Sequence, residues 1–179
     1  MRSAPTSPVS ATCFAAALLA AAAAIRARRD DILAANARDM VAATARNLAG
    51  SMLDRLLLDA KRVDAMISSV RQIAAQQDPL GRALENWKNP ANGLRFTKVA
   101  VPLGVIGMIY ESRPNVTADA AALCIRSGNA VILRGGSESA HSNRAIAAAF
   151  HAALKQVGLP EACVSMVPTQ DREAVGVML

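Results

Sequence analysis

Two short polar segments hold the residue types that could do chemistry. The first, YESRPNVT at Tyr110–Thr117, sets Glu111, Ser112, Arg113 and Asn115 between an apolar run and a helix-forming run. An asparagine amide is a neutral N–H donor and suits a developing oxyanion. Arginine can grip a carboxylate or phosphate with two parallel N–H bonds, and the other polar side chains can donate to or pair with a ligand. Local capping, with Asn115 bonded to nearby backbone, is the competing use of that residue. The second segment, RGGSE at Arg134–Glu138, follows another apolar run. Its Gly135-Gly136 pair lets backbone approach a ligand or turn sharply. A plain strand-to-helix turn explains the pair equally well.

The elements that must position these segments alternate. Val105–Tyr110 (VIGMIY) is almost continuously apolar, the pattern of a buried parallel strand. Val116–Ser127 reads as a helix, with Thr117 as candidate N-cap and Gly128 as its stop. Ala130–Leu133 is a second strand. Ser142–Val157 is a second helix, with Ile146, Ala149, Phe150, Ala153 and Leu154 facing the sheet and Gly158 and Pro160 closing it. Val164–Val167 is a third strand, and Thr169 or Asp171 begins a third helix. Such alternation implies a parallel sheet, and ligands bind at the carboxyl ends of its strands. Both polar segments lie at such ends. Neither GxGxxG nor GxxxxGK[ST] occurs, so both standard phosphate-gripping fingerprints are missing.

Upstream, helices dominate to about Gln77. Ala11–Arg28 is one, Asp31–Ala49 one or two more, and Met52–Leu58 carries a short apolar patch. Ala60–Gln76 shows the cleanest stripe, Val63, Met66, Ile67, Val70 and Ile73, at spacings of three and four. Asp78-Pro79 ends it. Asn92-Gly93 is a turn pair between Leu84–Lys88 and Leu94–Val101, which together read as a β-hairpin. Leu94, Phe96 and Lys98 share one face, and Arg95, Thr97 and Val99 the other. With no clean apolar face, the ribbon is expected to stay unburied within one subunit and to contact another, with Trp87 packing on the body or on that partner.

Of the 179 residues, 53% are apolar but only 3% aromatic, an excess owed mostly to helix-favouring alanine. The net charge of +6 is spread among interleaved acids such as Asp30, Asp31, Asp39, Asp54, Asp59 and Asp64. That favours solvated helix faces over a nucleic-acid surface. Cys13, Cys124 and Cys163 show no CxxC or Cys/His metal spacing, which implies a reducing compartment, no disulfide framework and no metal site. The apolar run Cys13–Ile25 is shorter than the ~20 residues of a membrane span. It reads as a helix continuing into IRARRDDILAANARDM rather than as a signal peptide, because no clear cleavage site follows it.

The segment VPLGVIGMIYESRPNVTADAAALCIRSGNAVILRGGSESAHSN resembles the gamma-glutamyl phosphate reductase family of the aldehyde dehydrogenase superfamily. The likeness runs from about Ala15 to Leu179 through DDILAANARDM, MLDRLLL, NGLRFTKV and GLPEACVSMVPTQDREAVGVML, and YESRPNVT with GNAVILRGGSE is specific to this branch. The resemblance implies reduction of L-glutamyl 5-phosphate to the semialdehyde with NADPH, in proline biosynthesis. It implies a cytoplasmic enzyme, homo-oligomeric at full length, with no nucleic-acid or membrane partner. It casts Asn115 as oxyanion stabiliser, Glu111, Ser112 and Arg113 as substrate-binding, and Tyr110, Arg134, Ser137 and Glu138 as cofactor-binding. Arg134 stands where relatives carry a lysine near the adenosine ribose, and an arginine there suits a 2′-phosphate.

The resemblance also implies a nucleophilic cysteine that none of the three here replaces, since a thioester route needs an activated thiolate in the pocket. The expected fold is therefore α/β, in four parts. Residues 1–10 are an unmatched extension, 11–83 a helical segment and 84–101 a hairpin. Residues 102–179 are half of a Rossmann-like, aldehyde dehydrogenase-like parallel sheet, cut within its third helix. Such a chain is expected to be inactive alone; the alternative is a non-catalytic association module that pairs with a missing C-terminal half.

Overall fold

A computed structural model of the chain describes residues 11–171 and 173–178; the extension assigned to residues 1–10 lies outside them. Four helices come first: α1 (Ala11–Ala27), α2 (Arg29–Ala45), α3 (Gly50–Leu56) and α4 (Ala60–Ala75). Helix α1 is built of small residues, so its neighbours approach closely. Its Leu18, Ala21, Ala22 and Ile25 are buried, and it packs against both α4 and the later helix α6 (Ala140–Gln156). Among the described residues no helix is long and apolar enough to cross a membrane. In α4 all five stripe residues are buried, each aliphatic one contributing about 1.5–3 kcal/mol. Asp59 caps this helix, its Oδ1 accepting from the Arg62 N–H at 2.7 Å.

Strands β1 (Ala83–Lys88) and β2 (Arg95–Val99) form the expected antiparallel hairpin. Gly93 sits at φ +76°, in the left-handed region its turn requires. Every strand residue is exposed. Trp87 packs on neither the body nor a deep pocket; it stacks on Phe96 across the ribbon with ring centroids 5.1 Å apart and remains half exposed.

The second layer is a three-stranded parallel sheet in the order β3 (Val105–Ile109), β4 (Ala130–Arg134), β5 (Val164–Met166). Helices α5 (Asn115–Arg126) and α6 cover one face, where Val131, Leu133, Ile146, Phe150 and Leu154 join the α1 and α4 core. The expectation that β3 is buried on both faces is wrong. Only Ile106 and Met108 pack inward, while Val105 is 66% and Ile109 43% exposed. The strand is an edge with one face open, and Ile132 of β4 is exposed on the same layer. A short helix α7 (Glu173–Met178) begins to cover this face, bringing the Met178 side chain against Gly107. Asp171, not Thr169, starts it, its Oδ1 accepting from the Glu173 N–H at 3.0 Å.

Two buried polar side chains of α2 fasten the layers. Asp39 is 2% exposed and accepts from the His141 N–H at 3.1 Å, the Ser142 N–H at 2.8 Å and the Ser142 hydroxyl at 2.6 Å, so it caps α6 from a distant helix. Asn36 donates to the Leu56 carbonyl at 2.8 Å and accepts from the Leu58 N–H at 2.8 Å, bracing the turn between α3 and α4. Helix α5 has no side-chain cap. Pro114, with φ −57°, leads directly into it, and proline's fixed φ presets the first turn. Thr117, expected as the N-cap, lies inside the helix, and its hydroxyl serves another contact. Gly128 ends α5 at φ +71° as expected.

Candidate active site

The Tyr110–Pro114 loop leaves the carboxyl end of β3, and α5 opens with Asn115. The side chain of Asn115 faces a cleft of about 490 Å³ lined by α3 and the turn after it, by α4 and by the start of α5. Its Nδ2 donates to Asp119 Oδ2 at 3.1 Å, one helical turn on, and Asp119 Oδ1 accepts from the Ser69 hydroxyl of α4 at 3.1 Å. This chain of bonds holds the amide in one orientation. An amide nitrogen carries two hydrogens, so one N–H of Asn115 stays available to the cleft. The same cleft takes in Arg113, Arg55 and Arg62.

A second cleft, about 380 Å³, is lined by Tyr110, Glu111, Ser112 and Arg113 together with Met52, Arg55, Ile109 and Val116. Glu111, Ser112 and Arg113 are thus brought together with Asn115 close behind them, and Arg113 borders both spaces. Ser112 is buried, and its hydroxyl donates to Glu138 Oε2 at 3.3 Å; the Ser137 hydroxyl donates to Oε1 of the same carboxylate at 3.3 Å. Glu138 therefore ties the loop after β4 to the loop after β3.

The Gly135-Gly136 pair has a packing role. A Cβ on Gly135 would lie 2.2 Å from Asn143 Nδ2 and 3.1 Å from the Tyr110 ring and hydroxyl. Tyr110 is half-buried, and its O–H donates to Thr117 Oγ1 at 2.6 Å, because the Thr117 proton goes on to Asn143 Oδ1 at 3.0 Å. Asn143 Nδ2 donates in turn to Ser139 Oγ at 2.9 Å. Burial pushes the Tyr110 hydroxyl above its usual pKa, outweighing the Thr117 bond, so the ring is a neutral donor.

Arg134 ends β4. Its Nη1 donates to the Gly135 carbonyl at 3.2 Å and its Nη2 to the Gln170 carbonyl at 3.0 Å, while Nε is buried without a partner. With Arg144 it lines a small cavity of about 60 Å³ against residues 166–170.

None of the three cysteines lines any of these three spaces. Cys124 is buried in α5, and burial pushes its thiol up. Burial does the same to Cys163, against the opposing effect of its backbone bond. Both are therefore protonated at neutral pH and poor nucleophiles. Among the described residues no group of three or more His, Cys, Asp or Glu could hold a metal ion.

A sequence model of one protein family, described as the aldehyde dehydrogenase family, matches residues 7–179. The chain belongs to the aldehyde dehydrogenase family. Within that family it is 60% identical over 163 residues to a gamma-glutamyl phosphate reductase of Paramagnetospirillum magneticum, which covers 91% of this chain and 38% of the relative. It is 61% identical over 165 residues to the enzyme of the same name from Sphingopyxis alaskensis, again 38% of the relative. The crystal structure of gamma-glutamyl phosphate reductase from Thermotoga maritima superposes with a TM-score of 0.90 at 39% identity, over 96% of this chain and 41% of that one. The chain thus spans about two fifths of the relatives it matches. A NAD-dependent benzaldehyde dehydrogenase from Corynebacterium glutamicum, 19% identical with a TM-score of 0.65, shares the fold over 88% of this chain and 30% of its own.

The loop residues singled out from sequence line these clefts or bridge the two loops. Sequence reasoning missed Asp119, Ser69, Asn143, Arg144 and Arg55. Asp119 had a local signal, since it lies four residues after Asn115 on one helix. The others reach the loops from separate elements and had none.

Proposed function

We propose that this chain supplies the N-terminal part of a reductase that converts L-glutamyl 5-phosphate to L-glutamate 5-semialdehyde with NADPH. The observation that carries the reading is the Asn115 amide, held by Asp119 at the mouth of the cleft, in a chain 60% identical to curated reductases of that name. The free N–H of Asn115 stabilises the oxyanion formed when a thiolate adds to the acyl carbon. That thiolate comes from the remainder of the protein. Semialdehyde- and phosphate-dependent reduction of NADP+ by a full-length protein carrying this segment tests the reading; no reduction above a phosphate-free control ends it.

NADPH supplies the hydride when bound. The carboxyl ends of β4 and β5 offer donors for it: Arg134, whose buried Nε has no partner, and Arg144 line one cavity, with Ser137 on the loop beside it. Arg134→Ala is expected to raise the KM for NADPH about 5- to 50-fold and to narrow the preference over NADH, as loss of one charge-assisted bond implies. Unchanged cofactor kinetics remove Arg134 from that role.

The β1–β2 ribbon serves subunit contact in this reading. Its support is the exposed stack of Trp87 on Phe96 with Leu84, Leu94 and Val99 also open to solvent. Excising Glu85–Lys98 from the full-length protein is expected to lower the mass measured by light scattering to that of a smaller assembly. An unchanged mass refutes the contact.

A further inference from the structure

Arg55 of α3 and Arg113 of the β3–α5 loop both line the Asn115 cleft and the cleft beside it, so the two arginines form the ridge between these spaces. Neither side chain makes a hydrogen bond or ion pair among the described residues. The third arginine of the cleft is committed: Arg62 Nη2 pairs with Asp54 Oδ1 at 2.6 Å, and its Nη1 donates to the Leu57 carbonyl at 3.0 Å. Asp119 is also occupied, by Ser69 and Asn115. Glu111 borders the second cleft but forms no ion pair among the described residues. The ridge therefore carries two like charges with no ion-pair partner among the described residues, in the cleft that Asn115 also lines. Guanidinium forks match a carboxylate or phosphate in shape and charge. Leu57, Leu58, Ala65 and Met66 give the same cleft an apolar wall.

We infer that Arg55 and Arg113 form a carboxylate-binding pair that takes the α-carboxylate at the far end of the substrate's aliphatic chain. The assignment rests on the reading of Asn115 as the site of the reacting carbonyl. The apolar wall favours this end of the substrate over the phosphate, because methylene groups must lie between the carbonyl and its distant carboxylate. The pair then sets specificity, by refusing aldehydes of similar length that carry no anion.

Kinetics of the full-length protein test this. Arg55→Met and Arg113→Met are each expected to lower the preference for glutamate 5-semialdehyde over butanal, in kcat/KM, by about 10- to 100-fold through the semialdehyde KM. Arg55→Lys restores part of the preference, since charge remains and the planar fork is lost. Equal losses on the two aldehydes overturn the inference. A rise confined to the KM for inorganic phosphate also overturns it, by giving the pair to the leaving group. If the wild-type protein reduces NADP+ with neither aldehyde, the reductase reading fails, and saturation-transfer NMR with L-glutamate decides the pair. A signal present in wild type and lost in Arg55→Met upholds it; no signal in wild type overturns it.

Discussion

Asn115→Ala is expected to lower kcat of the full-length enzyme by about 10²–10³-fold, the usual consequence of deleting one oxyanion donor. The bond geometry sharpens this expectation. One amide hydrogen is spent on Asp119 at 3.1 Å, which leaves a single N–H aimed by its sibling. Asn115→Asp removes that donor and sets a carboxylate beside Asp119 and a developing negative charge, so it should be at least as damaging. On the proposed role the ground-state acyl group would make a weaker bond to the same N–H, so KM is expected to change little. Asp119→Ala should reproduce part of the fall in kcat, and the double variant should fall short of the product of the two single effects, because Asp119 acts through Asn115. A kcat loss under tenfold for Asn115→Ala, in a protein with an unaltered circular dichroism spectrum, removes the oxyanion role.

Gly135→Ala is expected to destabilise the fold by about 2–4 kcal/mol, combining overpacking with a broken buried bond. The backbone of Gly135 is not in the left-handed region, so space alone decides. The added methyl would overlap Asn143 Nδ2 at 2.2 Å. A flexible side-chain tip could swing aside cheaply. Asn143 cannot, because it is 1% exposed and pinned by Thr117 on one side and Ser139 on the other. Moving it leaves the Thr117 hydroxyl without its acceptor and presses on the Tyr110 ring. Urea unfolding measures the effect directly, as a fall in midpoint at unchanged slope. A loss under 0.5 kcal/mol, within the usual range for a surface change, would mean that the loop relaxes and that the Tyr110–Thr117–Asn143 relay is not a fixed support.

Several elements were legible because the controlling forces are local. The α4 stripe, the Asn92-Gly93 turn and the Gly128 stop all follow from periodicity or from backbone preference within a few residues. The errors share the opposite cause. Thr117 has the side chain of an N-cap, but Pro114 fixes the helix start three residues earlier, and Tyr110 and Asn143 take up the hydroxyl. VIGMIY has the composition of a doubly buried strand. Composition reports how apolar a segment is and not what covers it, and among the described residues little more than Met178 reaches its outer face.

The sequence by itself determined the family, the order of strands and helices and the loop that holds Asn115, because these rest on motif and period along one stretch of chain. Only the tertiary structure decided what surrounds that loop. It set Ser69 behind Asp119, Arg55 beside Arg113, Asn143 under Gly135 and Asp39 at the head of α6. Each of these joins residues from separate elements. Their meeting is fixed by how helices and sheet bury their shared apolar faces, and no local pattern in the chain encodes it.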